Sequence, residues 1–208
     1  MLKIGRMVLG MVQTNCYFLY EEGCAETIIV DPADKGDEIY KKMTEAGFHV
    51  AGILLTHGHF DHIMGAPKLR ELTGARIYAL DAEKEVCEDP HVNCSAQTGR
   101  PCSVKADVYV KDGEEIELAG ITFRVIATPG HTKGSCCYYF EQDEVLLSGD
   151  TLFAESVGRT DLPTGSMGEL TRSLRDKLAV LPETVRVYPG HESKTTIGHE
   201  KAYNPYWS

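Results

Sequence analysis

Apolar and polar positions along this chain follow two periods, and the periods divide it into strands and helices. Residues 13–20 and 27–30 are rich in β-branched and aromatic side chains and read as strands, closed by the turn Asp31-Pro32-Ala33-Asp34. Over 37–46 the apolar Ile39 and Met43 stand one helical turn apart, and Gly47 supplies a stop, so this stretch reads as an amphipathic helix. The apolar run 50–56 follows, then a helix over 63–72 and a strand over 75–79. Residues 85–104 show no clear period and read as an irregular excursion over the surface. Strand-like runs return at 108–110, 121–127, 135–140 and 145–147. Leu170, Leu174 and Leu178 give 170–181 helical spacing, and 185–187 is a last strand. Strands in runs with helices between some of them predict two sheets, each covered by helices, in four layers. The expected class is α/β (α+β), with one domain across residues 1–208.

Charge narrows the partners. The net charge is -10, from 31 acidic against 21 basic residues, and no Lys/Arg run stands out. Nucleic acid and anionic membrane surfaces need a concentrated positive face, so neither is expected. The start Met1-Leu2-Lys3-Ile4-Gly5-Arg6 carries charges where a signal peptide has its apolar segment, and no apolar run is long enough to span a bilayer. The seven cysteines are odd in number and scattered. They read as reduced thiols of a cytoplasmic protein. The sequence is silent on oligomeric state.

The chemistry concentrates in Thr56-His57-Gly58-His59-Phe60-Asp61-His62, directly after an apolar run. His57 and His59 alternate along an extended segment and can point the same way. Gly58 between them is expected to let the backbone bend closely around an ion. Asp61 and His62 fall where a helix begins. Three later segments repeat one logic, an apolar strand, a glycine-containing turn and then a ligand-type side chain: 126–130 before His131, 145–149 before Asp150, and 185–190 before His191. Crevices in α/β proteins form outside the carboxyl ends of strands, so four strand ends deliver these groups to one rim. Any one of His131, Asp150 and His191 alone reads as an ordinary loop residue; together with the first motif they do not. Five histidines and two aspartates exceed what one tetrahedral zinc takes. They suit two divalent ions sharing a carboxylate. Zinc comes first, with iron or manganese open, because histidine and carboxylate donors accept all three.

At these residues the chain resembles the metallo-β-lactamase superfamily, whose hallmark is H-x-H-x-D-H followed by His, Asp and His on later strands. Gly149-Asp150-Thr151-Leu152-Phe153, Gly158-Arg159-Thr160-Asp161-Leu162-Pro163, Pro189-Gly190-His191-Glu192 and Asn204-Pro205 resemble the glyoxalase II (hydroxyacylglutathione hydrolase) branch, in its short single-domain form. The resemblance implies an αββα sandwich. It implies one metal on His57, His59 and His131, a second on Asp61, His62 and His191, and Asp150 as the bridge. It implies a metal-held hydroxide as nucleophile, oriented by Asp61, and a small thioester such as S-lactoylglutathione as substrate. Arg159 stands where a substrate carboxylate could be held.

A thiolate leaves without help from a strong general acid, because thiol pKa values lie near ~8.5, whereas a lactam nitrogen needs protonation. This favours a thioester. A different class, a mononuclear-iron persulfide dioxygenase of the same fold, would use His57, His131 and Asp150. A lactonase remains a further reading. A β-lactamase is disfavoured because those enzymes commonly place cysteine where Asp150 stands, and a nuclease because no basic groove is evident. A scaffold that lost its chemistry is disfavoured because all seven ligand positions are filled.

Smaller features read as structural. Cys87, His91, Cys94 and Cys102 match no common zinc spacing and read as loop or buried thiols. One of Cys136 and Cys137 is expected in the core, since neighbours in a strand face opposite ways. Tyr138 and Tyr139 read as sheet residues, His49 and His199 as surface groups, and Trp207 as packing for the tail.

Overall fold

A computed structural model describes residues 1–207. The first sheet has the order of the chain: β1 (Leu2–Leu9), β2 (Thr14–Glu21), β3 (Glu26–Val30), β4 (His49–Leu54), β5 (Arg76–Leu80) and β6 (Val108–Val110). The first three strands pair antiparallel, and β3 through β6 run parallel. The second sheet is built from β7 (Glu115–Leu118), β8 (Ile121–Ala127), β9 (Cys136–Phe140) and β10 (Val145–Gly149). A small hairpin follows, β11 (Leu152–Phe153) and β12 (Ser156–Val157), then β13 (Arg186–Pro189) and β14 (Thr195–Thr196). Its strand order is β14-β13-β10-β9-β8-β7, with β10 and β13 parallel.

Alternation along the strands explains the layers. In β3, Ile28 and Val30 enter the core between the two sheets, while Ile29 joins a second core beneath α1 (Gly36–Glu45), α2 (Phe60–Ile63) and α3 (Ala66–Thr73). In β9, Cys136, Tyr138 and Phe140 face the inter-sheet core. Cys137 and Tyr139 face the opposite way, toward a third core with Leu174, Leu178 and Ile197. A sheet covered on both faces buries both sets of side chains. Both vicinal cysteines are therefore buried, where the sequence suggested one. The four layers expected from the sequence are present.

Several boundaries differ from expectation. The helix expected over 63–72 is two helices, because the Gly65 amide donates to Pro32 O at 2.7 Å and a Cβ at Gly65 would lie 2.3 Å from that oxygen. The helix expected over 170–181 is α5 (Met167–Ser173) followed by a wider turn at Leu174–Leu178. Residues 85–104 are not wholly irregular: they contain most of α4 (Lys84–Glu88) and a 3-10 turn at Ser95–Thr98. The chain also forms α6 (Ile197–Tyr203), and Trp207 packs against the third core. No helix among the described residues is long and apolar enough to cross a membrane.

Candidate metal centre

Five strand ends meet at one rim. His57 and His59 follow β4, His131 follows β8, Asp150 follows β10 and His191 follows β13. The fifth end was not read as part of the site. Asp31, directly after β3, accepts from Thr56 N at 2.8 Å, Thr56 Oγ1 at 2.7 Å and His62 Nδ1 at 2.9 Å. Asp61 and His62 sit in the single turn of α2, as expected, with His59 at its N-terminal boundary.

The structure brings together all seven residues expected from the sequence. Their donor atoms form three overlapping sets, each within 4.8 Å: His57, His59 and His131; His57, His62 and Asp150; and Asp61, His62 and His191. His59 Nδ1 lies 2.8 Å from His131 Nε2, which lies 3.2 Å from His57 Nε2. His131 Nδ1 donates to Arg159 O at 2.7 Å, and His62 Nδ1 donates to Asp31. In both rings Nε2 is thereby turned inward, the arrangement that outer partners impose on metal-binding histidines.

Asp150 spans the two halves. Its Oδ1 is 3.3 Å from His62 Nε2, while its Oδ2 is 3.6 Å from His131 Nε2 and 3.4 Å from His191 Nε2. Asp61 Oδ2 is 3.3 Å from His191 Nε2 and accepts from Thr14 Oγ1 at 3.0 Å. Buried Asp150 Oδ1 has no hydrogen-bond donor of its own. An orphaned carboxylate oxygen facing converged imidazole nitrogens fits a divalent cation, since buried charges pair or coordinate metals.

The electrostatics agree. Burial, with His62 and His131 nearby, holds His57 well below the usual imidazole range, and burial beside His131 takes His59 down to about 3. Both are neutral donors. Burial also opposes charge on His62, but Asp150, Asp61 and Asp31 outweigh it and hold His62 well above its ordinary value. Burial likewise disfavours charge on His191, yet hydrogen bonds to Asp150 and Asp61 raise it to about 9. Burial would raise both carboxyls; His62 and His191 instead hold Asp61 and Asp150 ionised. The carboxylates thus demand positive charge, which protons supply in the protein alone and metal ions would replace.

The centre opens into a cavity of about 680 Å3, with Val12, Phe60, Phe153 and Leu162 on its walls and Cys94 and Arg159 at its edge. The Arg159 guanidinium is not free: Nε and Nη2 each donate to Asp161 at 2.7 Å. Gly58 is required by packing, since a Cβ there would lie 2.7 Å from Cys87 N. His49 and His199 are exposed, and His199 pairs with Glu155. Cys87, Cys94 and Cys102 are free thiols and join no metal-type cluster among the described residues. Besides Asp31, sequence reasoning missed Thr14 and the buried Glu83. Burial pushes Glu83 up to about 7, against the hydrogen bonds it accepts from Gly58, Thr132 and Gly134.

Fold and centre together define a metal-binding hydrolase architecture. The chain belongs to the metallo-beta-lactamase superfamily, whose profile matches residues 9–191. A Streptococcus pyogenes relative named as a probable metallo-hydrolase is 35% identical, over 100% of this chain and 91% of its own length. The hydroxyacylglutathione hydrolase GloC of Haemophilus influenzae is 30% identical, over 93% of this chain and 92% of its own. The crystal structure of BLEG-1, a B3 metallo-beta-lactamase, superposes with a TM-score of 0.93 at 37% identity, covering 99% of this chain and all of that one.

Proposed function

We propose that this metallo-hydrolase cleaves a small acyl thioester, with S-lactoylglutathione as the type substrate, at a centre for two divalent ions. His57, His59 and His131 would hold one ion, Asp61, His62 and His191 the other, and Asp150 both. The observation that carries this is the placement of Asp150 between the two halves, its Oδ2 lying 3.6 Å from His131 Nε2 and 3.4 Å from His191 Nε2 while its Oδ1 lies 3.3 Å from His62 Nε2. Bound divalent ions would supply hydroxide near neutral pH and polarise the acyl carbonyl.

The protein's own groups do the rest. Asp61 is fixed by Thr14 Oγ1 and lines the cavity, where its carboxylate can accept a hydrogen bond from the attacking oxygen and set its direction. Val12, Phe60, Phe153 and Leu162 provide an apolar wall for an acyl group and displace water from the carbonyl. A thiolate departs without protonation, which suits a cavity where the histidines serve as ligands. Arg159 can take a carrier carboxylate by exchanging it for Asp161, since exposed ion pairs hold weakly. The similarity to hydroxyacylglutathione hydrolase GloC supports the thioester reading.

The test combines elemental analysis of the purified protein with hydrolysis of S-D-lactoylglutathione. Metal-loaded protein should release thiol. Metal-loaded protein that ignores this thioester but consumes oxygen with glutathione persulfide would replace hydrolysis with the mononuclear-iron reading. That reading leaves Asp61, His62 and His191 without a task, although they converge on the same centre.

A further inference from the structure

Glu83 ends the 3-10 turn Asp81–Glu83 that follows β5, and it is 1% exposed. Its Oε1 accepts from Gly58 N at 2.7 Å and from Thr132 Oγ1 at 2.8 Å. Its Oε2 accepts from Gly134 N at 2.8 Å. Gly58 lies between His57 and His59, and Thr132 directly follows His131. One buried carboxylate therefore joins two ligand loops that are more than 70 residues apart in the chain.

The backbone beside it closes the same clamp. A Cβ at Gly58 would lie 2.7 Å from Cys87 N and 2.9 Å from Val86 C. A Cβ at Gly134 would lie 2.3 Å from Glu83 N and 2.5 Å from Ala82 C. Both loops press on the segment 82–87. The other half of the centre is held by different groups: Asp61 by Thr14, and His62 by Asp31. None of these touches Glu83. Its own three donors are neutral, two amides and a hydroxyl, so no ion pair offsets the cost of burying this carboxylate. A costly group retained at the junction of two ligand loops is explained by the geometry it holds.

We propose that Glu83 is a positioning residue that sets the separation of His57, His59 and His131, and that its loss weakens cation binding by that trio while sparing Asp61, His62 and His191. The inference rests on the two-ion reading above. Outer partners of metal ligands carry such effects on affinity.

The experiment isolates each half in the full-length protein, stripped of metal and titrated with zinc against a chelator. In an Asp61→Ala background the remaining tight zinc reports the three-histidine trio. In a His59→Ala background it reports the other half. Glu83→Gln keeps the size of the side chain but presents an N–H where an acceptor is needed. It should weaken zinc in the first background by about tenfold or more and leave the second unchanged. Circular dichroism and the thermal midpoint of metal-free protein check the fold. Should Glu83→Gln fail to fold, Thr132→Val decides, because it removes one of the three donors to Glu83, together with a hydroxyl contact to Ser135, and should shift zinc affinity the same way by less, while Ser135→Ala, which removes that second contact but none of the donors to Glu83, should not. Equal weakening in both backgrounds, or none in either, overturns the proposal. Wild-type protein that takes up no zinc, iron or manganese would sink the metal reading and this inference with it. Two tight equivalents with no selective loss would sink this inference alone.

Discussion

Asp31 accepts the Nδ1 proton of His62 at 2.9 Å, in a place where neither side chain reaches solvent. The contact decides which nitrogen of His62 faces the centre. It also explains a backbone oddity. Asp31 sits at φ 50, in the left-handed region, where aspartate and asparagine are among the few tolerated side chains. From there its carboxylate reaches Thr56 and His62 together, and so ties the end of β3 to the end of β4.

Asp31→Asn keeps the backbone tolerance but loses the charge that fixes His62. Metal affinity should fall by about 10–100-fold, the range seen when such outer partners are removed. Chelator competition measures it. An unchanged affinity would show that His62 is oriented by packing alone.

A second variant acts on the bridge. A Cβ at Gly190 would lie 2.3 Å from Asp150 Oδ1 and 2.6 Å from His62 Cε1. The backbone of Gly190 is not in the left-handed region, so alanine is not strained there, and its hardest clashes are with the ligands, with a milder close contact to Gly149 C at 3.2 Å. Gly190→Ala should keep its circular dichroism, lose about 1–3 kcal/mol of stability through overpacking, and bind less than two equivalents of metal. Full loading would mean that Asp150 can move without leaving the centre.

The ligands at strand ends were legible because each repeats one local pattern, an apolar strand closed by a turn and then a donor, and Asp61 and His62 because they stand beside His57 and His59 in one short run. Asp31 ends the strand 27–30 in the same way and was readable on that ground, but its turn neighbours drew the interpretation. Thr14 and Glu83 carry no such signal. Each is one polar residue among polar neighbours, and its partner lies 47 or 25 positions away, brought near only by tertiary packing. β1 was missed for another reason. Leu2 and Ile4 pack in the inter-sheet core, whereas Met7 and Leu9 pack under the helices, so the apolar phase changes midway and no single alternation spans the strand. The expected continuous helices failed at Gly65 and after Ser173, where the backbone is governed by contacts across the fold rather than by apolar spacing.

Protons and metal should compete for the same charge. His191 is raised to about 9 by Asp150 and Asp61, against burial that alone would lower it. In metal-free protein its stabilising contribution is complete below the unfolded value near ~6.5 and is lost as pH rises through about 9. His62, also raised, acts with the same sign. Metal-free protein should therefore lose thermal stability between pH 7 and 9, and His191→Asn should flatten that slope. Metal affinity should climb over the same interval, because binding must displace these protons. Thermal melts in the presence of a chelator, repeated across this range, check the sign; a rising midpoint would contradict it.

Arg159 and Asp161 form a two-pronged ion pair at the edge of the cavity, and both are well exposed. If Arg159 receives a carboxylate of the thiol carrier, Asp161 is its competitor. Arg159→Met should then raise KM for S-D-lactoylglutathione by roughly tenfold with little change in kcat, the signature of lost uniform binding. Asp161→Asn should act in the opposite direction, lowering KM for the same substrate. A neutral acyl thioester with no carboxylate supplies the control, since neither change should move its KM. The comparison of the two substrates separates recognition from damage to the centre, because His131 Nδ1 contacts only the backbone oxygen of Arg159, which both substitutions keep. Equal effects on charged and neutral thioesters would remove Arg159 from substrate recognition and leave the apolar walls at Val12, Phe60, Phe153 and Leu162 to select the acyl group.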